Sequence, residues 1–291
     1  RNVGIALSTD HNPRYGLIDP YWGGVNAVVE AMRNVSSVGA TPHALSDCLC
    51  FGNPEKPHQM WEFVESVRGV ADASRAITLK GNPDYATPII AGNVSFYNES
   101  KKGAIPPSPI VSCLGRLNNV NKAVPMHFQK TGSIILMLGQ RKDELGGSVY
   151  YSLHNELGAN VPKPDLEEVK KQIFALTDCI DTELVFSCHD IADGGVASAI
   201  AEMTFGNGIG CNINIESDLP ADKLLFSETG GFVLEISTEN VDPVKSMFAN
   251  SGLDIFQIGT TDGDQIQMNG VIGLGLSKTK NVWINGLREK L

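Results

Sequence analysis

Two kinds of apolar pattern alternate along the chain. In one, apolar residues recur every three or four positions; in the other, short runs are apolar throughout or at every second position. That alternation predicts an α/β or α+β protein with mixed sheets. Residues 2–9 predict a strand. Residues 20–38 predict a helix carrying Val25, Val28, Val29, Met32 and Val35 at helical spacing, with Asp19 as its N-cap and Pro20 at the first helical position. A strand at 43–50 and a long helix at 57–78 come next, the helix with Trp61, Val64, Val67 (or Arg68) and Ala71 in register. Extended runs lie at 87–96 and 109–117. Segments 80–86 and 99–109, rich in Gly, Pro and polar residues, read as surface loops, the first equally as an insertion. The polar stretch Asn118–Gly132 is the expected boundary between an N-terminal part, 1–125, and a C-terminal part, 126–291. The second part opens on Ile134–Leu138, apolar without interruption, as a strand buried on both faces would be. Helices are expected at 144–155, 165–182, 194–205 and 241–251. Strands are expected at Leu184–Cys188, 210–216, Phe232–Ile236 and 253–259.

Composition narrows the function classes. The formal net charge is −10, which argues against nucleic-acid binding, since counterion release needs a basic face. The short clusters Lys101–Lys102 and Lys170–Lys171 read as solvated surface. An acidic protein that handles phosphates is expected to bridge them with Mg²⁺. No apolar run approaches the ~18 residues of a membrane helix, so no membrane role is expected. The six cysteines form no C-x-x-C pair. Cys48 and Cys50 would share one strand face as small core residues rather than as metal ligands. Free thiols and the lack of a signal-like start point to the cytoplasm. The chain enters a strand directly after Arg1, and a strand needs a neighbour, so further sequence upstream is expected.

Four stretches carry candidate chemistry. Asp47, before Gly52–Asn53–Pro54, is placed at a strand end, where it can hold a metal or a ribose, or merely cap the turn. In Gly92–Asn93–Val94–Ser95, Gly92 permits close backbone approach to a phosphate. Asn93 offers a hard oxygen to Mg²⁺, and Ser95 falls on the same strand face as Asn93; an ordinary polar strand edge fits as well. Glu30 and Asn34, four apart, lie on one helix face that either binds a divalent ion or is simply polar. His189–Asp190, at the C-terminal end of a strand before a helix, occupies the position where α/β folds gather ligands. Asp193 there reads alternatively as that helix's N-cap. The chain contains neither a Walker A loop nor a G-x-G-x-x-G turn opening a helix, and no G-x-S-x-G or H-E-x-x-H.

Taken in order, Asp10–Tyr15 (DHNPRY), Asp19–Ala40 (DPYWGGVNAVVEAMRNVSSVGA), Asp47–Trp61 (DCLCFGNPEKPHQMW), Gly92–Glu99 (GNVSFYNE) and His189–Met203 (HDIADGGVASAIAEM) resemble the phosphoribosylformylglycinamidine synthase family, within the AIR-synthase-like superfamily. The likeness extends along nearly the whole chain. It implies the second of two tandem modules, each with an N-terminal and a C-terminal α/β part, whose N-terminal parts pack as a pseudo-dimer with sites formed across it. The implied reaction is ATP-dependent amidation of formylglycinamide ribonucleotide, with ammonia supplied by a glutaminase subunit and a small accessory subunit completing the assembly. By resemblance, Asp47 and Gly92 contact ATP, Asn93 holds Mg²⁺ and Ser95 contacts the ribonucleotide. The acid–base groups belong to the N-terminal half of the same synthetase. A second nucleotide–metal site implied by the large single-chain relatives matches Glu30, Asn34 and Asp190, with a further Asp expected upstream of Arg1. One departure is Phe226–Gly231, where only Glu228 keeps the family's Glu-Ser-Gln substrate contact, which argues against an independent substrate site in this half.

Two other readings remain in play. One is a self-contained homodimeric enzyme of the same superfamily; the other is a non-catalytic nucleotide-binding module of a larger assembly. A face left open by the missing module also predicts a homodimer of the fragment.

Overall fold

The computed structural model describes residues 2–288. The N-terminal part runs β1 (Gly4–Asp10), α1 (Pro13–Ile18), α2 (Pro20–Ser37), β2 (Thr41–Cys50), α3 (Pro57–Ala76), a hairpin β3–β4 (Thr78–Leu79, Asn82–Ala86), β5 (Ile89–Ser95), a hairpin β6–β7 (Glu99–Ser100, Gly103–Ala104) and β8 (Ser108–Leu117). Its main sheet has the order β1-β8-β2-β5, antiparallel except for the parallel pair β2/β5. The C-terminal part runs β9 (Ile134–Leu138), α4 (Val149–Leu153), α5 (Leu166–Asp181), β10 (Val185–Ile191), α6 (Gly195–Phe205), β11 (Cys211–Ile213), α7 (Ala221–Phe226), β12 (Gly231–Ile236), α8 (Val241–Asn250), β13 (Ile255–Thr261), β14 (Gln265–Met268), β15 (Ile272–Gly275) and α9 (Leu276–Asn285). Seven of these strands form a mixed sheet of order β10-β12-β9-β13-β11-β14-β15, so the expected α/β class with mixed sheets is what forms.

The unbroken apolar run of β9 has its explanation in that sheet. Ile134, Leu136 and Leu138 face one hydrophobic cluster and Ile135 and Met137 the other, so both faces of the strand are covered. The first cluster continues through α5 into α2, and one core therefore spans both parts of the chain. Helix α2 begins as its residues dictate. Asp19 accepts from the backbone N–H groups of Tyr21 and Trp22, and Pro20 sits next to it.

Several elements differ from expectation. Helix α3 does not bury the face of Trp61, Val64 and Ala71; Trp61 and Val64 stay exposed, and Ser66, Gly69, Val70, Ala73 and Ser74 turn inward. The cause is close packing. A Cβ on Gly69 would stand 2.1 Å from the Tyr21 carbonyl oxygen, and one on Gly24 2.3 Å from that of Ser66, so α2 and α3 meet backbone to backbone. The loop expected at 80–86 pairs as the exposed strand β4, and 99–109 holds the hairpin β6–β7 and the start of β8. The helix expected at 144–155 shrinks to Val149–Leu153, because Gly147 takes a left-handed φ of 77° and Ser148 caps only the single short helix after it. Beyond residue 259, β14, β15 and α9 are elements that the apolar pattern did not predict.

Candidate functional site

The first candidate region is the edge of the N-terminal sheet, where β2 and β5 run side by side. Asp47 does not sit at a strand end. It lies inside β2, opposite Gly92 of β5, with Asn93 opposite Cys48 and Ser95 opposite Cys50. The strand alternation puts Asn93 and Ser95 on one face, as expected, and Asp47 on the other. Gly92 has a more local reason than phosphate approach, since a Cβ there would stand 2.1 Å from Asp47 Oδ1. Burial raises the Asp47 pKa. The Asn93 amide Nδ2 donates to Cys48 Sγ at 3.4 Å, which turns its carbonyl oxygen free for a ligand. Cys48 and Cys50 do share a face, 3.7 Å apart, but they are half-buried and outside the core. After Ser95 the chain turns sharply, and Asn98 Nδ2 donates to the carbonyls of Phe51 and Ser95. Most of β5 is exposed, and so are Ile5 and Leu7 across the same sheet, so this region is one open wall.

The second region lies where the two parts of the chain meet. Asn34 Nδ2 donates to Asp10 Oδ1 at 3.1 Å, and burial, with a smaller push from the charge of Asp190, raises the pKa of Asp10, Glu30 and Asp193. Burial, more than the charge of Asp190, lifts Asp10 to about 6. Burial likewise lifts Glu30 well above the carboxylate range, against the pull of Arg33. One oxygen each of Asp10 and Asp190, both buried, has no hydrogen-bond partner. His189 bridges Asp190 Oδ1 (3.1 Å) and Glu202 Oε2 (2.8 Å). Burial would lower its pKa, but those two bonds outweigh it and hold the imidazole at about 9. Asp193 is not the cap of α6, whose N-cap is Gly194, without a side-chain cap bond; it accepts instead from Asn12 Nδ2 at 3.2 Å. Hard oxygens gathered out of water are the donor chemistry a divalent cation would use. Among the described residues, no three His, Cys, Asp or Glu side chains already converge as a closed cation cage. Asp10, Glu30, Asn34 and Asp190 are the oxygen donors of this region, and they lie apart rather than around one point.

Asp10 and Arg33 were not among the residues singled out by sequence, although both lie within the family-like stretches. Much of the DHNPRY stretch serves to tie the two parts together. Arg14 Nε donates to the Gly147 carbonyl at 3.1 Å, and the Tyr15 hydroxyl donates to Glu228 Oε2 at 2.5 Å. Glu228 also accepts from the N–H groups of Gly194 and Val149. Burial nonetheless raises its pKa to about 7. The residue left from the family's substrate triplet thus has its lone pairs engaged inside the protein.

The chain matches two descriptions in series: AIR synthase related protein, N-terminal domain, over residues 1–117, and AIR synthase related protein, C-terminal domain, over residues 130–269. The chain belongs to the AIR-synthase-related protein family. The AIR-synthase-related chain is 45% identical, over its whole length, to phosphoribosylformylglycinamidine synthase subunit PurL of Methanothrix thermoacetophila, of which it covers 39%. It is 38% identical to the subunit of the same name from Streptomyces coelicolor, with 94% of this chain and 36% of that one aligned. It therefore spans roughly two-fifths of the length of these curated relatives. Among solved structures, Thermotoga maritima PurL complexed with FGAR shares the fold at a TM-score of 0.80 and 18% identity, over 96% of this chain and 46% of that one. Hydrogenase maturation protein HypE in complex with ATP shares it at 0.64 and 16% identity, over 91% of this chain and 81% of that one. Among the described residues, no helix is long and apolar enough to cross a membrane.

Proposed function

We propose that this chain is the C-terminal module of the synthetase that converts formylglycinamide ribonucleotide to formylglycinamidine ribonucleotide in purine biosynthesis, and that it forms one wall of an ATP–Mg²⁺–substrate site. The observation that carries this reading is the 45% identity along the entire chain to a relative bearing that activity's name. The module divides into subdomains 1–125 and 126–291, and works with the N-terminal half of the same synthetase, a glutaminase subunit and a small accessory subunit in the cytoplasm. The naming of Thermotoga maritima structures as PurLQS and as PurL complexed with ATP supports, for those proteins, an assembly and a nucleotide ligand.

The chemistry assigned to the wall follows from the family resemblance. In the reaction, the amide oxygen of the substrate takes the γ-phosphoryl group of ATP, ADP leaves, and ammonia displaces the phosphate. Asn93 would hold Mg²⁺ through its side-chain carbonyl oxygen, and the ion would supply charge stabilisation to the transferred phosphoryl group. Ser95, two residues on, offers its hydroxyl to the ribonucleotide from the same face. Asp47 and Gly92, on the other strand face, are assigned to ATP by the family resemblance alone, with the carboxylate packed over the glycine. Acid–base groups are supplied by the upstream half. The test is ADP release with formylglycinamide ribonucleotide, Mg²⁺–ATP and ammonium, from this chain alone and mixed with the upstream half. Turnover only in the mixture supports the shared site. Turnover by the chain alone replaces it with a self-contained homodimer.

The buried carboxylates support a second, structural nucleotide–Mg²⁺ site at Glu30, Asn34 and Asp190, to which Asp10 adds an oxygen. Nucleotide binding without turnover that disappears in Glu30→Ala and Asp190→Ala supports it; unchanged binding in both variants removes it.

A further inference from the structure

Helix α9 is an apolar element that the core of this chain does little to cover. Of its ten residues only Leu276 is buried. It is fixed to α6 along one line. Trp283 Nε1 donates to Glu202 Oε1 at 3.1 Å, the Trp283 ring meets Phe205 with centroids 5.4 Å apart, and Lys280 Nζ donates to the Phe205 carbonyl at 2.5 Å. Neighbouring helix residues stand about 100° apart, so Val282 and Ile284 flank Trp283 on either side, and they are 63% and 56% exposed. Leu287 just past the helix, Leu274 in β15 and Val271 in the turn before it are exposed as well. A surface helix ordinarily turns its apolar side to the core, and so short a helix has little stability alone. Apolar side chains left open in this way mark a surface that another body covers.

The charge of this region runs against that of the chain. The protein holds 33 acidic residues and a formal net charge of −10, yet residues 265–288 contain no Asp or Glu and carry Lys278, Lys280 and Arg288. Lys278 and Arg288 are exposed. Asp262 and Asp264 precede the stretch, and Glu202 beneath α9 is engaged by Trp283 and His189. An apolar centre edged by cations fits a protein face that is apolar in the middle and acidic at its rim. A second copy of the chain fits less well, because an isologous contact would set one basic stretch against its twin. An anionic membrane fits less well too, because it would repel the rest of this acidic chain. The upstream half of the synthetase is assigned to the β2/β5 edge by the function proposed above.

We propose that β15 and α9 form the docking surface for an acidic partner subunit of the assembly that supplies ammonia. Membership of that assembly rests on the proposed function; the surface itself rests on exposure and charge. Val282, Ile284 and Leu287 are its apolar anchors, and Lys278 and Arg288 meet acidic side chains at the rim and speed encounter. None of these side chains belongs to the ATP–substrate wall, so docking here governs the use of glutamine and not of free ammonium.

The test is binding of the purified glutaminase subunit and of the purified small accessory subunit to the complete synthetase, by sedimentation velocity and titration calorimetry. Glutamine-dependent and ammonium-dependent ADP release are measured in parallel. Ile284→Glu is expected to weaken the binding of one subunit by about tenfold or more, as loss of an interface anchor does. It should lower glutamine-dependent turnover at limiting partner concentration and leave ammonium-dependent turnover and Tm unchanged. Lys278→Glu combined with Arg288→Glu should weaken the same binding, chiefly through a slower on-rate, and flatten its dependence on salt. Lys171→Glu, at an exposed position of α5, is the control and should bind as the unaltered protein does. Should Ile284→Glu fail to fold, the charge-reversed variant carries the test. The proposal is overturned if neither subunit binds, if binding is unchanged in both α9 variants, or if those variants abolish self-association or adhesion to phosphatidylserine vesicles instead. An unaltered synthetase without ammonium-dependent turnover fails the proposed function, whereas subunit binding that ignores α9 fails the docking surface alone.

Discussion

The edge formed by β2 and β5 and the carboxylate cluster beneath α2 both present oxygen ligands, yet they stand in opposite physical states. The edge is solvated. Asn93 and Ser95 point from an exposed strand, held by the Asn93–Cys48 bond and by Asn98 at the turn after Ser95. The cluster is desolvated, burial and the charge of Asp190 raise the pKa of Asp10 and Glu30, and buried oxygens of Asp10 and Asp190 lack partners. An exposed ligand costs the fold little and does nothing until another surface closes over it. A buried cluster costs stability in advance and is prepared to take up charge. The comparison separates ligands left exposed on a strand edge from carboxylates buried beside like charges.

The largest expected effect is at the edge. In the complete synthetase, Asn93→Ala should cost roughly 2–4 kcal/mol of transition-state stabilisation, about 10²–10³ in kcat, as loss of one preorganised electrostatic group does. Its unfolding free energy should change by less than about 0.5 kcal/mol, as for an exposed site. Normal turnover in that variant removes Asn93 from the site. Next comes Glu228→Ala, which strands the Tyr15 hydroxyl and two backbone N–H groups and should destabilise by about 3 kcal/mol in denaturant unfolding. A loss below about 1 kcal/mol would mean these bonds do not hold the two parts together.

The cluster predicts an effect of opposite sign. Asp10 has its pKa raised from 3.8 to about 6, so the folded state binds its proton more tightly than the unfolded chain does. That contribution is fully present below about pH 4 and is lost as pH rises through about 6. Asp10→Asn should therefore stabilise the metal-free protein by about 1–2 kcal/mol at about pH 7.5 and by little at about pH 4. Destabilisation at the higher pH would contradict the electrostatic account. The smallest effect is that of Mg²⁺. At millimolar concentration it should raise Tm by a few degrees at about pH 7.5, and less at about pH 5, where a proton occupies Asp10. An equal gain at both pH values would place the ion elsewhere.

Much of the fold was legible because it rests on local rules. Asp19 and Pro20 announce the start of α2, and the uninterrupted run Ile134–Leu138 announces a strand covered on both faces. The elements that departed from expectation depended on distant partners or on a single backbone angle. The inward face of α3 was set by glycines that let two backbones touch, not by its largest apolar side chains. The short α4 was set by a left-handed glycine in the loop before it. Of the site, the pairing of Asn93 with Ser95 on one face came from period two, and that of Glu30 with Asn34 from helical spacing.

The sequence by itself determined the class of fold, the succession of most elements, the family resemblance and the residue types available for oxygen ligation, because propensity, capping and periodicity act over a few neighbouring positions. Only the tertiary structure decided that Asp10 joins Asn34, that Asp47 rests on Gly92, and that Arg33 and Arg141 meet at one peptide. These residues are 24, 45 and 108 positions apart by number, and they meet only because packing brings distant stretches of chain together.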